Sequence, residues 1–197
     1  MSAEIRRHSD GADAHKIRQV HTLGPHGTNL ESAAHEWLRR QRVDGNVILH
    51  ASLEDALDAV PDEDGEHALA ACAVYPDLHT LTFSNLHRLR MVDSFIMPTH
   101  NMVLASTGAD HPRTVSTHPA PAGLVPGDAE SRLVLSNSQA AIDCAAGNSE
   151  GCITTIVAAE RHGLRVLRDF GPVPMVFTIH QVLTVDAAAE LRAGALL

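Results

Sequence analysis

The run His67-Ala68-Leu69-Ala70-Ala71-Cys72-Ala73-Val74 is apolar at every position after its first. A strand with one wet face alternates apolar and polar residues, whereas a strand covered on both faces does not, so this run predicts an inner strand of a parallel sheet with helices on both sides. The chain ahead of it agrees. A β-like stretch around Ile17 and Val20 leads to a turn and then to Leu30, Ala33, Ala34, Trp37 and Leu38, spaced along one helical face to about Arg42. Asp44-Gly45-Asn46 breaks that helix. Val47-Ile48-Leu49-His50 is a second short strand, and Ser52-Leu53-Glu54-Asp55 opens a capped helix whose apolar face is Leu53, Ala56, Leu57 and Val60. Strand, helix, strand, helix, strand is a doubly wound α/β unit, in which ligands bind beyond the carboxyl ends of the strands. Tyr75-Pro76-Asp77-Leu78-His79 lies at that end of the third strand, on the side of the first turn.

That first turn is His21-Thr22-Leu23-Gly24-Pro25-His26-Gly27-Thr28-Asn29. Gly24 and Gly27 let the backbone approach a ligand. Thr28 can cap the helix with Glu31 three positions on, and free N–H groups at such a start suit a small carboxylate or phosphate. A plain tight turn before a capped helix is the alternative.

Arg88–Ile96 and Met102–Ala105 are further strands, and Met97–Asn101 between them marks a crossing into a second lobe. There, Val115–Pro119 ends a strand and starts a helix that the Pro/Gly-rich run to Gly127 shortens or breaks. Leu133–Leu135 is a strand, and Ser136-Asn137-Ser138 caps a helix to Ala146. Gly151–Thr154 is a strand, and Thr155 opens a helix closed by Gly163. Val166, Leu167 and Asp169 begin the return crossing, Met175–Leu183 is the closing strand, and Ala187–Leu191 a terminal helix.

Composition narrows the function classes. With 24 acidic against 15 basic residues, and Arg39-Arg40-Gln41-Arg42 as a solvated helix end, nucleic acid is not an expected partner. No apolar run reaches membrane-spanning length and no signal-peptide layout opens the chain, so a cytoplasmic location is expected. Residues 1–16 form a polar tail. Cys72, Cys144 and Cys152 lack CxxC spacing and are expected as buried free thiols. Fourteen histidines invite a metal hypothesis, but HExxH and HxH spacings are absent and no metal site is expected.

Three ordered motifs resemble the prephenate dehydratase family: Gly24-Pro25-His26-Gly27-Thr28 before a helix; Thr117-His118-Pro119 in place of an "SHP" segment; and Ser136–Ala141, Gly151–Ala159 and His162-Gly163-Leu164 as the second-lobe pattern. The resemblance covers residues 17 to 184. It implies a two-lobed α/β fold of the type 2 periplasmic-binding-protein class, with a ligand cleft between the lobes. Lobe one is then 17–100 with 172–197, and lobe two 101–171. A homodimer is implied by family habit alone. The absence of a regulatory domain after the closing strand implies no feedback control by phenylalanine.

Two departures from the family alter the chemistry. Val74-Tyr75-Pro76-Asp77-Leu78-His79 replaces a segment resembling "PxENSxxG", and Met175-Val176-Phe177 replaces the Thr-Arg-Phe triplet of the closing strand. Only Phe177 survives. Loss of the hydroxyl removes the group that assists departure of the ring hydroxyl, and loss of the guanidinium removes a carboxylate clamp. In this the chain resembles the non-aromatising prephenate decarboxylases of antibiotic biosynthesis, the bacilysin and anticapsin type. The resemblance implies a cofactor-free carbon–carbon lyase acting on prephenate or a similar dicarboxylate in secondary metabolism. Gly24, Gly27, Thr28 and Asn29 would bind one carboxylate, and Asn137, Ser138 and Thr155 the pyruvyl end. Met175 and Phe177 would line the ring, and His79, His100 or His118 would carry the proton, with His180 a weaker candidate. The alternatives are an atypical dehydratase and a small-carboxylate-binding protein without turnover.

Overall fold

The computed structural model describes residues 15–61 and 65–184. The chain divides into two compact units. Unit one takes the chain up to Leu23, Ala33–Phe95 and the chain from Phe177, and unit two takes Gly24–Ser32 and Ile96–Val176. The first turn and the flanks of both crossings therefore group with unit two. The terminal helix expected at 187–191 and nearly all of the polar tail lie outside the described residues.

Unit one is a five-stranded sheet in the order β2-β1-β3-β10-β4. Its strands are β1 (Gln19–Leu23), β2 (Asn46–His50), β3 (His67–Cys72), β4 (Leu89–Pro98) and β10 (Pro174–Val182). β1, β2 and β3 run parallel and β10 returns antiparallel to β3. All six β3 residues are buried, as an inner strand covered on both faces requires. One face carries Val20, Ala68, Ala70 and Ile179 under Ala34, Trp37 and Leu38 of α1 (Asn29–Gln41). Trp37 is fully buried, and its Nε1 donates to Asp93 Oδ2 at 2.9 Å, so the indole keeps a partner for its one donor. The other face carries Leu69, Ala71 and Val182 under Leu53, Ala56 and Leu57 of α2 (Leu53–Asp58) and Leu81 of α3 (Leu78–Ser84). The Arg39–Arg42 run ends α1 as a solvated terminus. Arg39 and Arg40 pair with Glu36 and hold its carboxyl down at about 2.

Unit two is a second five-stranded sheet, β7-β6-β8-β5-β9. Its strands are β5 (Met102–Ser106), β6 (Thr114–Thr117), β7 (Glu130–Leu133), β8 (Gly151–Thr155) and β9 (Arg165–Gly171). Val103, Ala105 and Cys152 pack beneath Ala140, Ala141 and Cys144 of α4 (Asn137–Ala145) and Ala158 and Ala159 of α5 (Ile156–Arg161). Met102, Leu104, Val115 and Ile153 form the opposite layer. All three cysteines are free and buried.

One local reading changes, and two segments are filled in. The segment containing Val166, Leu167 and Asp169 is not a crossing but the edge strand β9, antiparallel to β5. After β6 the prolines leave only a 3-10 turn, Ala122–Leu124. Leu78–Ser84, which carries no clear helical stripe, forms α3 with Leu81 as its one buried residue.

Candidate functional site

In unit two β6 runs parallel to both β7 and β8, so their carboxyl ends share one edge. β5 is antiparallel to β8 and starts there, Met102 opposite Thr155. The edge where open α/β sheets bind ligands thus carries His118 after β6, Asn137 and Ser138 after β7, Thr155 at the end of β8, and Asn101 before β5.

Several of these residues are locally bonded. Thr155 caps α5, its Oγ1 accepting from the Ala158 N–H at 3.2 Å. The Asn101 carbonyl accepts from the Ile156 N–H at 2.8 Å, and its side-chain amide donates to Asp169 Oδ2 at 2.8 Å. That bond, behind the stronger one from the Gly171 N–H, holds the Asp169 carboxyl below its usual range. The Asn137 carbonyl accepts from Thr154 Oγ1 at 2.6 Å, while Asn137 Oδ1 is buried with no hydrogen-bond partner. A buried acceptor left unpaired costs roughly 1–3 kcal/mol, which a ligand donor would recover. Ser138 is buried. His118 Nδ1 accepts from the Ala120 N–H at 3.2 Å, and burial pushes its pKa down.

The Gly24–Thr28 turn also belongs to unit two. Gly27 holds φ at +86°, a conformation that favours glycine, whereas Gly24 has no positive φ and needs no such freedom. Thr28 Oγ1 accepts from the Glu31 N–H at 3.2 Å, as the capping spacing predicts. The Glu31 carboxylate reaches back to the Gly27 N–H at 2.5 Å and to His26 Nδ1 at 2.7 Å. The N–H read as a ligand donor is therefore occupied by a carboxylate of the chain itself. Arg161 donates to the His26 carbonyl, and its guanidinium lies 3.4 Å from where a Gly27 Cβ would stand. A cation and an anion thus flank the turn.

His100 joins this group. Its N–H donates to Asn29 Oδ1 at 2.9 Å, and its Nε2 lies 3.0 Å from Ser32 Oγ. Thr99 Oγ1 donates to the His100 carbonyl at 2.8 Å and accepts from the Val173 N–H at 3.0 Å, so the crossing is tied on both sides. The imidazole is held by a hydroxyl and its backbone by an amide.

Of the residues singled out in the sequence, Gly24, Gly27, Thr28, Asn29, His100, His118, Asn137, Ser138, Thr155 and Met175 fall in unit two, and His79 and Phe177 in unit one. Hydrogen bonds link Gly27 and Thr28 through Glu31. Asn29 and His100 are linked directly. His79 is exposed in the first turn of α3, and Phe177 is fully buried and stacks on Phe95 with ring centroids 5.9 Å apart. Met175 is half-buried. His180 is buried against Thr178 Oγ1 at 3.0 Å. Arg161 and Ser32 are the site residues that sequence reasoning missed. A capping glutamate was legible, but nothing in the order of residues places Arg161 beside a turn more than a hundred positions away.

Among the described residues no helix is long and apolar enough to cross a membrane, and no group of three or more His, Cys, Asp or Glu has metal-holding geometry.

No protein-family model matches the chain, and no curated protein matches it in sequence. Solved structures do. The chain is similar to GqqA, described as a novel type of quorum quenching acylase, with a TM-score of 0.58 and 20% identity. That match covers 84% of this chain and 64% of the acylase, so the chain spans less than two thirds of it. It is also similar to the periplasmic VFT2 domain of Bordetella pertussis BvgS, with a TM-score of 0.53 and 16% identity over 85% of this chain and 81% of that one. For the whole BvgS periplasmic domain the values are 0.54 and 17%, over 92% of this chain and 40% of that one. At these identities the likeness is one of fold. The chain has the two-lobed, periplasmic-binding-protein-like α/β fold.

Proposed function

We propose that the protein is a carbon–carbon lyase that decarboxylates prephenate, or a close dicarboxylate relative, without aromatising it. In this step the bond from the quaternary carbon to its carboxylate breaks and carbon dioxide leaves. The electron pair moves into the ring diene, a ring carbon takes a proton, and the ring hydroxyl stays. The observation that carries the reading is the His100 group. An imidazole hydrogen-bonded to Ser32, on backbone held by Asn29, stands beside a turn flanked by Arg161. Arg161 supplies the guanidinium that the Met175-Val176 pair lacks and can clamp a carboxylate. Asn137 Oδ1, Ser138 and Thr155 offer polar partners for the pyruvyl end, and Met175 offers the ring no acid with which to expel its hydroxyl. His100 handles the proton, in preference to the exposed His79.

A second reading rests on one distance. Ser32 Oγ and His100 Nε2 at 3.0 Å form a hydroxyl–imidazole pair of the kind that activates a serine nucleophile, and GqqA, similar in fold, is described as an acylase. Acyl hydrolysis would use these two residues in place of the carboxylate clamp. Ultraviolet spectra of prephenate incubated with the protein decide the first reading. A non-aromatic conjugated product supports it, and phenylpyruvate or an unchanged spectrum overturns it. Release of nitrophenol from a nitrophenyl acyl ester, lost in Ser32→Ala, would mark the second.

A further inference from the structure

β7 ends the unit-two sheet, and all four of its residues, Glu130, Ser131, Arg132 and Leu133, are exposed. Leu133 is 65% exposed and Leu135, just beyond the strand, 91%. The pairing with β6 shows which backbone groups reach this open side. The Glu130 N–H donates to the Arg113 carbonyl at 2.7 Å, and the Val134 N–H to the Thr117 carbonyl at 3.0 Å. Residues 130, 132 and 134 therefore turn their amides and carbonyls toward β6, and Ser131 and Leu133 turn theirs away from it. The register sorts the side chains in the same way. Ser131 and Leu133 stand beside Val115 and Thr117, on the face of the Met102, Leu104, Val115 and Ile153 layer. Glu130 and Arg132 stand beside Thr114 and Ser116 on the other face, where Arg132 donates to the Asn148 carbonyl.

We propose that β7 is a self-association edge, taken by β7 of a second copy of this chain running antiparallel about a twofold axis at Ser131. Such an axis, normal to the sheet, keeps each face on its own side, so opposed residues are identical or an even number of positions apart. Glu130 and Arg132 meet that condition. Centred on Ser131, the register sets Glu130 of each copy against Arg132 of the other, so one interface holds two opposite-charge pairs. These pairs share no main-chain bonds, and in such pairs the Cα atoms approach to roughly 4.5 Å, nearer than in bonded ones. The two Ser131 residues exchange their outward N–H and C=O groups in two hydrogen bonds. Leu133 of each copy falls opposite Ala129 of the other, a residue that packs against the same apolar layer. A register centred one residue further on sets Arg132 against Arg132, which like-charge repulsion disfavours.

Charged residues are also how sheets guard an edge, and charges of one sign do so because every register repels. β7 carries one of each sign on one face, which a twofold register satisfies. The opposite end of the sheet is built differently. β9 meets β5 with register shifts at Met102/Val103 and Leu104/Ala105, irregularities that bend an edge away from a partner. Its Arg165 is paired with Asp110 at 2.6 Å. β7 keeps an unbroken register with β6 along its whole length. Assembly through β7 requires none of the lyase chemistry.

Sedimentation equilibrium of the full chain across a range of concentrations reads the assembly. The expected species is a dimer, twice the mass of the chain. Glu130→Arg and Arg132→Glu each put like charges opposite one another and are expected to give monomers. The double variant reverses both signs and is expected to restore the dimer. Ser131→Pro removes the outward N–H, which β6 does not use, and is also expected to give a monomer. Circular dichroism establishes that each variant is folded, and the charge variants decide if Ser131→Pro does not fold. A wild type that is monomeric at every concentration overturns the proposal. So do folded single charge variants that stay dimeric, or a folded double variant that stays monomeric.

Discussion

His100 and His180 show how much a single imidazole's neighbours decide. His100 is held by Asn29 and Ser32, with its ring nitrogen aimed at a hydroxyl. His100→Gln keeps much of the size and hydrogen bonding but removes the titrating group, so it is expected to lower prephenate turnover at least about tenfold, a floor set below the roughly hundredfold low end for lost general acid catalysis. Ser32→Ala removes the hydroxyl that holds the ring but keeps the titrating group, so it should lower that turnover less than His100→Gln does, and steady-state rates of the two variants check the assignment. His180 is buried, Nδ1 lacks a partner, and burial lowers its pKa below the ordinary 6.5. The folded state therefore binds this proton more weakly than the unfolded chain. The stability that follows is complete above the unfolded value and is lost as pH falls through the lowered folded one. Thermal melts of wild type and His180→Gln between pH 7 and about 5 are expected to show a smaller loss of Tm in the variant; equal losses would remove His180 from the acid response. Of these local facts the sequence disclosed residue types only. Which histidine faces a hydroxyl depends on a crossing loop meeting the start of α1, and no local pattern encodes that meeting.

The turn before α1 was legible because its chemistry is local. Glycine at positive φ, threonine at the cap and glutamate three positions later are all written within a few residues. What the spacing did not show is that Glu31 would take the Gly27 N–H. A ligand carboxylate must displace this internal one or bind through Arg161 instead. Gly27→Val puts a β-branched residue at φ +86°, where backbone strain costs at least about 1–2 kcal/mol, with Arg161 and Val157 at 3.4 Å from its Cβ. The variant is expected to keep its circular dichroism spectrum and lose turnover of prephenate; full activity in the folded variant would take the turn out of the site. Elements with strong patterns, such as the unbroken apolar β3 and the Trp37 face of α1, were read correctly for the same local reason. β9 was not. Its residues are largely exposed at a sheet edge, so burial leaves no stripe to read, and its pairing with β5 is set by distant residues.

At the scale of the molecule, the two sheets follow from two inner strands, β3 and β8, each buried along its full length and flanked by helices that cover both faces or one. That plan was legible from periodicity and motif order. The site was partly legible. The unit-two edge gathers Asn137, Ser138 and Thr155 because parallel strands end together, whereas Arg161 and Ser32 entered only through tertiary contact. The central claim is the proposed chemistry: by the sequence resemblance, Met175 and Val176 take the places of a hydroxyl and a guanidinium, so in the proposed reading the ring hydroxyl is expected to survive. Mass spectrometry of the product formed from prephenate tests this most directly. The account predicts a product that has lost carbon dioxide alone, and a product that has lost both carbon dioxide and water would contradict it.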